Sequence, residues 1–299
     1  DSGKLEEAMK EYQKAMAIVP NSTFPFIGIG SVYMKMGNLD LAEENLKKAL
    51  MIHPRESEAT AQLAQVYFKM SKFELAEKLL TKEYIKDDQV DAFYLLGQIY
   101  SMQNKNGLAL QQFQRAIKLN PDFVEAYVGM GIICGKENKF ELSEKYFLKS
   151  ISIQKENPDA CFNLGYLYFM RNRYEEALTW YRKALVYNAK MEKAWVSSGD
   201  AFFMLKNYDE AIKSYGFIKK ESDLSNETRY KTGFCYIEIG DANKADSFFS
   251  QLSLKRKENA RLYLEIGKRF HDKGNKFFAM KYYKIAAELD PENIKVDFQ

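Results

Sequence analysis

Residues 158–191 read PDACFNLGYLYFMRNRYEEALTWYRKALVYNAKM, and this stretch decides the fold. Leu164, Gly165 and Tyr168 fall on one face at helical spacing. After a break at Arg171–Arg173, Ala177, Leu178, Tyr181 and Ala184 form a second such face. The stretch therefore predicts two antiparallel helices joined by a short turn.

The same pattern continues outward in both directions. The small residue Ala177 belongs to the series Ala8, Ala42, Ala76, Ala109, Ser143, Ala177, Ala211, Ala245 and Ala279, spaced by 34 residues and once by 33. Gly165 belongs to Gly30, Ala64, Gly97, Gly131, Gly165, Gly199, Gly233 and Gly267. A mostly aromatic series runs Tyr33, Tyr67, Tyr100, Cys134, Tyr168, Phe202, Tyr236 and Phe270. A fourth runs Tyr12, Leu46, Leu80, Phe113, Phe147, Tyr181, Tyr215, Phe249 and Tyr283. Four series in phase along the chain mark a repeat architecture of helix pairs. The break recurs at Gly3, Gly37, Ser71, Asn104, Asn138, Asn172, Lys206, Gly240 and Gly274, mostly residues that tolerate the left-handed conformation ending a helix. Pro20, Pro54, Pro121 and Pro291 occupy the slot between repeats, where a proline stops a helix without losing an interior hydrogen bond.

The pattern resembles the tetratricopeptide repeat family. Phe93, Leu96, Gly97, Tyr100, Ala109, Phe113, Ala116 and Pro121 carry nearly the whole signature, and Trp195, Gly199, Phe202, Ala211 and Tyr215 carry part of it. The resemblance implies an all-α, right-handed superhelical solenoid of antiparallel helix pairs. It divides residues 1–299 into one array. Residues 1–22 are the second helix of a truncated repeat. Eight full repeats follow at 23–56, 57–89, 90–123, 124–157, 158–191, 192–225, 226–259 and 260–293, with a tail at 294–299. The opening at Asp1, inside a repeat, predicts a fragment of a longer protein. Thr60 and Glu83, and again Arg229 and Leu252, depart from slots usually aromatic and Ala. A change of superhelical pitch near 80–90 and the loosest packing around 226–259 are expected.

Composition narrows the function. The 44 basic and 41 acidic residues leave a net charge of +3, which gives no electrostatic case for nucleic acid. No apolar run is long enough for a membrane-spanning segment. Three cysteines make no disulfide framework, which suits the cytoplasm, and Cys134, Cys161 and Cys235 read as buried structural thiols. His53 and His271 lie far apart, so neither a metal nor a cofactor is expected. Gly129, Gly131 and Gly135 mimic a dinucleotide turn, but no strand precedes them and Gly131 belongs to the repeat series. The run Lys255–Lys257 reads as a solvated helix end. Glu58, Asp91, Glu125, Asp159 and Glu227 each fall in the first turn of a helix, where they complement its dipole rather than act as acids. No enzyme constellation emerges.

Similarity to the family implies a concave groove, built mainly by the first helix of each pair, that holds a peptide segment or helix of a partner. Four slots per repeat would face it, and nine of those thirty-two hold aromatic residues, twice the chain-wide fraction of 14%. They concentrate at Phe162, Tyr166, Phe169, Phe203, Tyr230 and Phe234, with Asp159, Lys193, Asp200 and Lys268 expected to orient the ligand. Two family variants do not fit. No three consecutive repeats supply the Lys, Asn and Arg that clamp a chaperone carboxylate. Gly28, Gln62, Leu95, Gly129, Asn163, Ser197, Lys231 and Glu265 fill the slots of an asparagine ladder, and only one is asparagine. The expectation is a protein–protein interaction scaffold. Two alternatives stand beside it: the recruiting arm of an enzyme whose catalytic domain lies elsewhere, and a module that self-associates through its repeat ends.

Overall fold

The computed structural model describes residues 2–81, 89–219, 221–252, 257–292 and 294. Among them are seventeen α-helices, one 3-10 turn and no strand. The chain divides into two compact units, residues 1–153 and 154–299. The first unit holds α1 (Ser2–Ile18), α2 (Thr23–Lys35), α3 (Leu39–Ile52), α4 (Ser57–Lys69), α5 (Phe73–Leu80), α6 (Val90–Met102), α7 (Asn106–Leu119), α8 (Val124–Lys136) and α9 (Phe140–Ile153). The second holds α10 (Pro158–Met170), α11 (Tyr174–Tyr187), α12 (Glu192–Met204), α13 (Tyr208–Tyr215), α14 (Ser225–Ile239), α15 (Ala242–Ser250), α16 (Ala260–Asp272) and α17 (Lys276–Leu289). Even-numbered helices are the first of each pair and odd-numbered helices the second. The result is a helical repeat solenoid, as the periodicity implies.

Each turn between paired helices is built the same way. Gly37, Ser71, Asn104, Asn138, Asn172, Lys206, Gly240 and Gly274 all have positive φ. At the end of α10, the Asn172 N–H donates to the Phe169 carbonyl (2.9 Å) and the Arg173 N–H to the Tyr168 carbonyl (2.9 Å). These bonds satisfy carbonyls that the helix end would otherwise leave bare. Gly3 differs: it lies inside α1 rather than in a turn. A left-handed turn is needed only where a preceding helix must end, and no described helix precedes Gly3. At the other boundary, Asn157 accepts from the Ala160 N–H (2.8 Å) and Pro158 opens α10, a pairing that stabilises a helix start.

The four series explain one another through packing. A Cβ on Gly165 would stand 2.7 Å from Tyr181 Cδ1, and one on Gly131 2.6 Å from Phe147 Cε1. Gly97 meets Phe113, and Gly267 meets Tyr283, in the same way. On these four first helices the absent side chain is the space filled by a large ring on the paired second helix. Gly129 faces Phe113 of the repeat before, so Gly129 and Gly131 of the apparent nucleotide turn are packing devices within α8. Ser143, the exception in the alanine series, is fully buried and donates to the Gly131 carbonyl (2.7 Å). Cys134, Cys161 and Cys235 are buried free thiols.

The second helices are not all alike. α3, α7, α9, α11 and α17 have 14 residues each, whereas α5 and α13 have 8 and α15 has 9. One slot accounts for the difference. The long helices carry Ala49, Ala116, Ser150, Ala184 and Ala286 there, all fully buried. Ala49 packs with Ala59 at the start of the next repeat. The same slot holds Glu83, Ile218 and Leu252 after the three short helices. Ile218 and Leu252 are bulkier than the alanine-sized space of that contact, and α13 and α15 end before them. Glu83 and the expected pitch change lie outside the described residues, as do Lys255 and Arg256.

Candidate functional site

The expected groove residues gather on α10, α12, α14 and α16 of the second unit. Helical spacing puts Asp159, Phe162, Tyr166 and Phe169 on one face of α10, and Lys193, Asp200 and Phe203 on the matching face of α12. Lys193 joins the two helices: its Nζ lies 2.9 Å from Asp159 Oδ1 and 4.7 Å above the Phe162 ring. Phe162 also rests 5.7 Å from the Tyr181 ring and is half-buried. Tyr166 is 48% exposed, the most open ring of the set.

Phe169 and Phe203 repeat one arrangement a repeat apart. Each meets the tyrosine that opens its paired helix edge-on: Phe169 with Tyr174 and Phe203 with Tyr208, both at 5.4 Å. Both rings stay half-buried and border a recess of about 300 Å³ that also touches Met204, Tyr230, Lys231 and Glu265.

Phe234 corrects the expectation of an open ring. It is 6% exposed, with the Phe249 ring 5.6 Å away and the Arg269 guanidinium 4.2 Å from its centroid. The pairing of α14 with α15 and the approach of α16 cover it, so Phe234 is floor rather than wall. Lys268 is exposed and does not line the recess.

A closed polar network lies beneath the rings. Asp200 Oδ1 accepts from the Tyr215 hydroxyl (2.7 Å), and Oδ2 accepts from Lys231 Nζ (2.7 Å). Lys231 Nζ also reaches Glu227 Oε1 at 2.6 Å. Burial works against the Lys231 charge, but Asp200 and Glu227 outweigh it and hold the ammonium above the ordinary lysine range. Burial, followed by the Asp200 charge, pushes the Tyr215 hydroxyl far up. The same two causes raise the nearby Cys235 thiol to about 12. Lys231 therefore stays charged, and Tyr215 and Cys235 stay protonated, near neutral pH.

Both Asp200 oxygens are thus engaged inside the protein rather than aimed at a ligand. Lys231 stands in a slot that the sequence marks only as part of an absent asparagine ladder, so periodicity does not single it out. The available signal was a lysine four residues after Glu227 in a slot held by small or neutral residues in every earlier repeat. Among the described residues no group of three His, Cys, Asp or Glu side chains could hold a metal ion, and no helix is long and apolar enough to cross a membrane.

Five models described as tetratricopeptide repeat match residues 33–99, 90–123, 124–157, 158–190 and 227–257, more than half the chain together. No curated protein sequence matches. Three solved structures share the fold at low identity. Pseudomonas aeruginosa pilF is 20% identical with a TM-score of 0.59, over 79% of this chain and 98% of its own. PilW, a widely conserved type IV pilus biogenesis factor, is 18% identical with a TM-score of 0.60, over 65% and 90%. The structure of the APC/C hetero-tetramer Cut9–Hcn1 is 16% identical with a TM-score of 0.60, over 97% of this chain and 51% of that chain.

Proposed function

The chain belongs to the tetratricopeptide repeat family, and on that premise we propose that it is a protein–protein interaction scaffold holding a peptide segment or helix of a partner on its first-helix face. The recess between Phe169, Phe203 and Tyr230 carries this reading. Three half-buried rings border a cavity large enough for one apolar side chain, above an ion-pair network that fixes the floor. Rings already packed on one side lose little freedom on binding, so apolar contact is gained at low entropic cost. The Asp159–Lys193 pair and Lys268 stand outside the recess, where they would set the direction of the bound segment.

Affinity capture from source-cell lysate tests the proposal, comparing the wild-type chain with Tyr166→Ala/Phe169→Ala/Phe203→Ala after circular dichroism confirms that helicity is kept. A partner lost only from the variant supports the first-helix site and identifies the ligand. Equal capture by both proteins overturns it.

A further inference from the structure

The early end of α13 leaves a second feature, on the opposite side of α12. Trp195, Ser198 and Phe202 share one face of that helix, turned away from Val196, Asp200 and Phe203. Because α13 stops at Tyr215, six residues short of α11, about 9 Å of helix is missing from the position that α11 fills in its own repeat. The chain turns aside at Gly216, and Phe217 stacks on the Trp195 indole with centroids 3.8 Å apart and planes inclined by 17°.

A recess of about 740 Å³ occupies the vacated position. Its walls are Leu178, Leu185 and Val186 of α11, Trp195 and Phe202 of α12, and Phe217. Val186 is 75% exposed and Phe217 59%. The polar groups in the lining are satisfied internally. Trp195 Nε1 donates to the Ala189 carbonyl (2.9 Å), Ser198 Oγ to the Ala194 carbonyl (2.7 Å), and Ser214 Oγ to the Glu210 carbonyl (2.8 Å). Recognition here is therefore apolar, with charge only at the rim. Glu210 and Lys213 neutralise each other at 2.5 Å, which leaves Arg182 as the net charge of the lining; the neighbouring Lys183 lies over the Trp180 ring (3.8 Å), outside it.

We propose that this recess is a second docking site, for the apolar face of an amphipathic helix of a partner that carries acidic side chains along its edge. The occupant lies where the last turns of α13 are missing. It sets apolar residues at helical spacing against Val186, Trp195 and Phe217, and a carboxylate toward Arg182. It shares α12 with the first-helix recess, but the two linings have no residue in common.

Selection of a displayed random-peptide library against the chain tests this. The enriched peptides are expected to carry apolar residues at i, i+3 and i+4 with net negative charge. Their binding should shift the emission of Trp195 in a Trp180→Phe background, which leaves a single tryptophan. Val186→Glu and Arg182→Glu should each weaken binding about tenfold or more, and Met51→Ala, exposed on α3 of the first unit, should leave it unchanged. Val186 is exposed, so its substitution does not endanger folding, and circular dichroism checks both variants. Enrichment of basic peptides, silent Trp195 emission, or affinity indifferent to Val186→Glu overturns the proposal.

Discussion

Gly165 and Tyr181 occupy one space: the ring of the second helix fills the volume where the first helix would carry a side chain. A Cβ at Gly165 would stand 2.7 Å from the ring and 3.1 Å from the Ala177 carbonyl oxygen, which cannot yield. In an unencumbered helix Gly→Ala stabilises by up to about 1 kcal/mol. Gly165→Ala is instead expected to destabilise by about 1–3 kcal/mol through overpacking. Gly107→Ala, exposed near the start of α7 with nothing within 4 Å of the new methyl, is expected to stabilise. Urea unfolding of both variants reads the opposite signs.

Lys206 holds φ 60° in the turn after α12, a conformation unfavourable for a side chain bearing a Cβ. Lys206→Gly relieves that cost, partly offset by the greater freedom of glycine in the unfolded chain. A net gain of roughly 0.5–1 kcal/mol is expected from thermal unfolding. Asn172→Gly should gain less, since asparagine already tolerates the left-handed region.

Ala184 is fully buried in the slot that separates long second helices from short ones. Ala184→Ile should impose on α11 the early end seen in α13, with a loss of about 1–3 kcal/mol. Hydrogen exchange should then accelerate over residues 182–187 and leave the first turns of α11 protected. Unchanged protection there would show that the slot does not set helix length.

Glu43 ties α3 to α4 and to the turn that follows α4. Its carboxylate lies 2.6 Å from Lys47 Nζ, 3.3 Å from Lys72 Nζ and 3.1 Å from the Tyr67 hydroxyl. Burial alone would raise its pKa, but these bonds outweigh burial and hold it below the ordinary glutamate value. Below that ordinary value the unfolded chain takes up a proton that the folded chain resists. The stabilisation is therefore present at neutral pH and lost as pH falls through the depressed folded value. Glu43→Gln should flatten the acid limb of a stability–pH curve, leaving the neutral-to-alkaline portion parallel to wild type.

Much of this was readable in the sequence, for a physical reason. Every repeat meets the same packing demand, so the glycines, rings and small residues had to recur in phase, and eight of the nine expected turns have the left-handed residue where the periodicity put it. The site was less legible, because periodicity assigns a face but not what covers it. Phe234 and Tyr166 hold equivalent slots, yet Arg269 and Phe249 cover Phe234 while Tyr166 stays open. Asp200 looked like a ligand-orienting charge until its partners Tyr215 and Lys231, 15 and 31 residues away, were seen to close on it. Ile218 shares the slot of Glu83 and Leu252, but the sequence alone does not show that α13 ends at Tyr215 and leaves the recess beside Trp195.

The short second helices also bear on cooperativity. In a one-dimensional array, folding behaves like a row of coupled switches, each repeat stabilised mainly by its nearest-neighbour interfaces. α13 and α15 end early in consecutive repeats, so two adjacent couplings in the second unit are weakened together. Heat or denaturant should release residues 208–252 before the helix pair α16–α17, whose second helix is full length. The melting curve of this chain is then a sum of staggered transitions, and a single midpoint fitted to it describes no one of them.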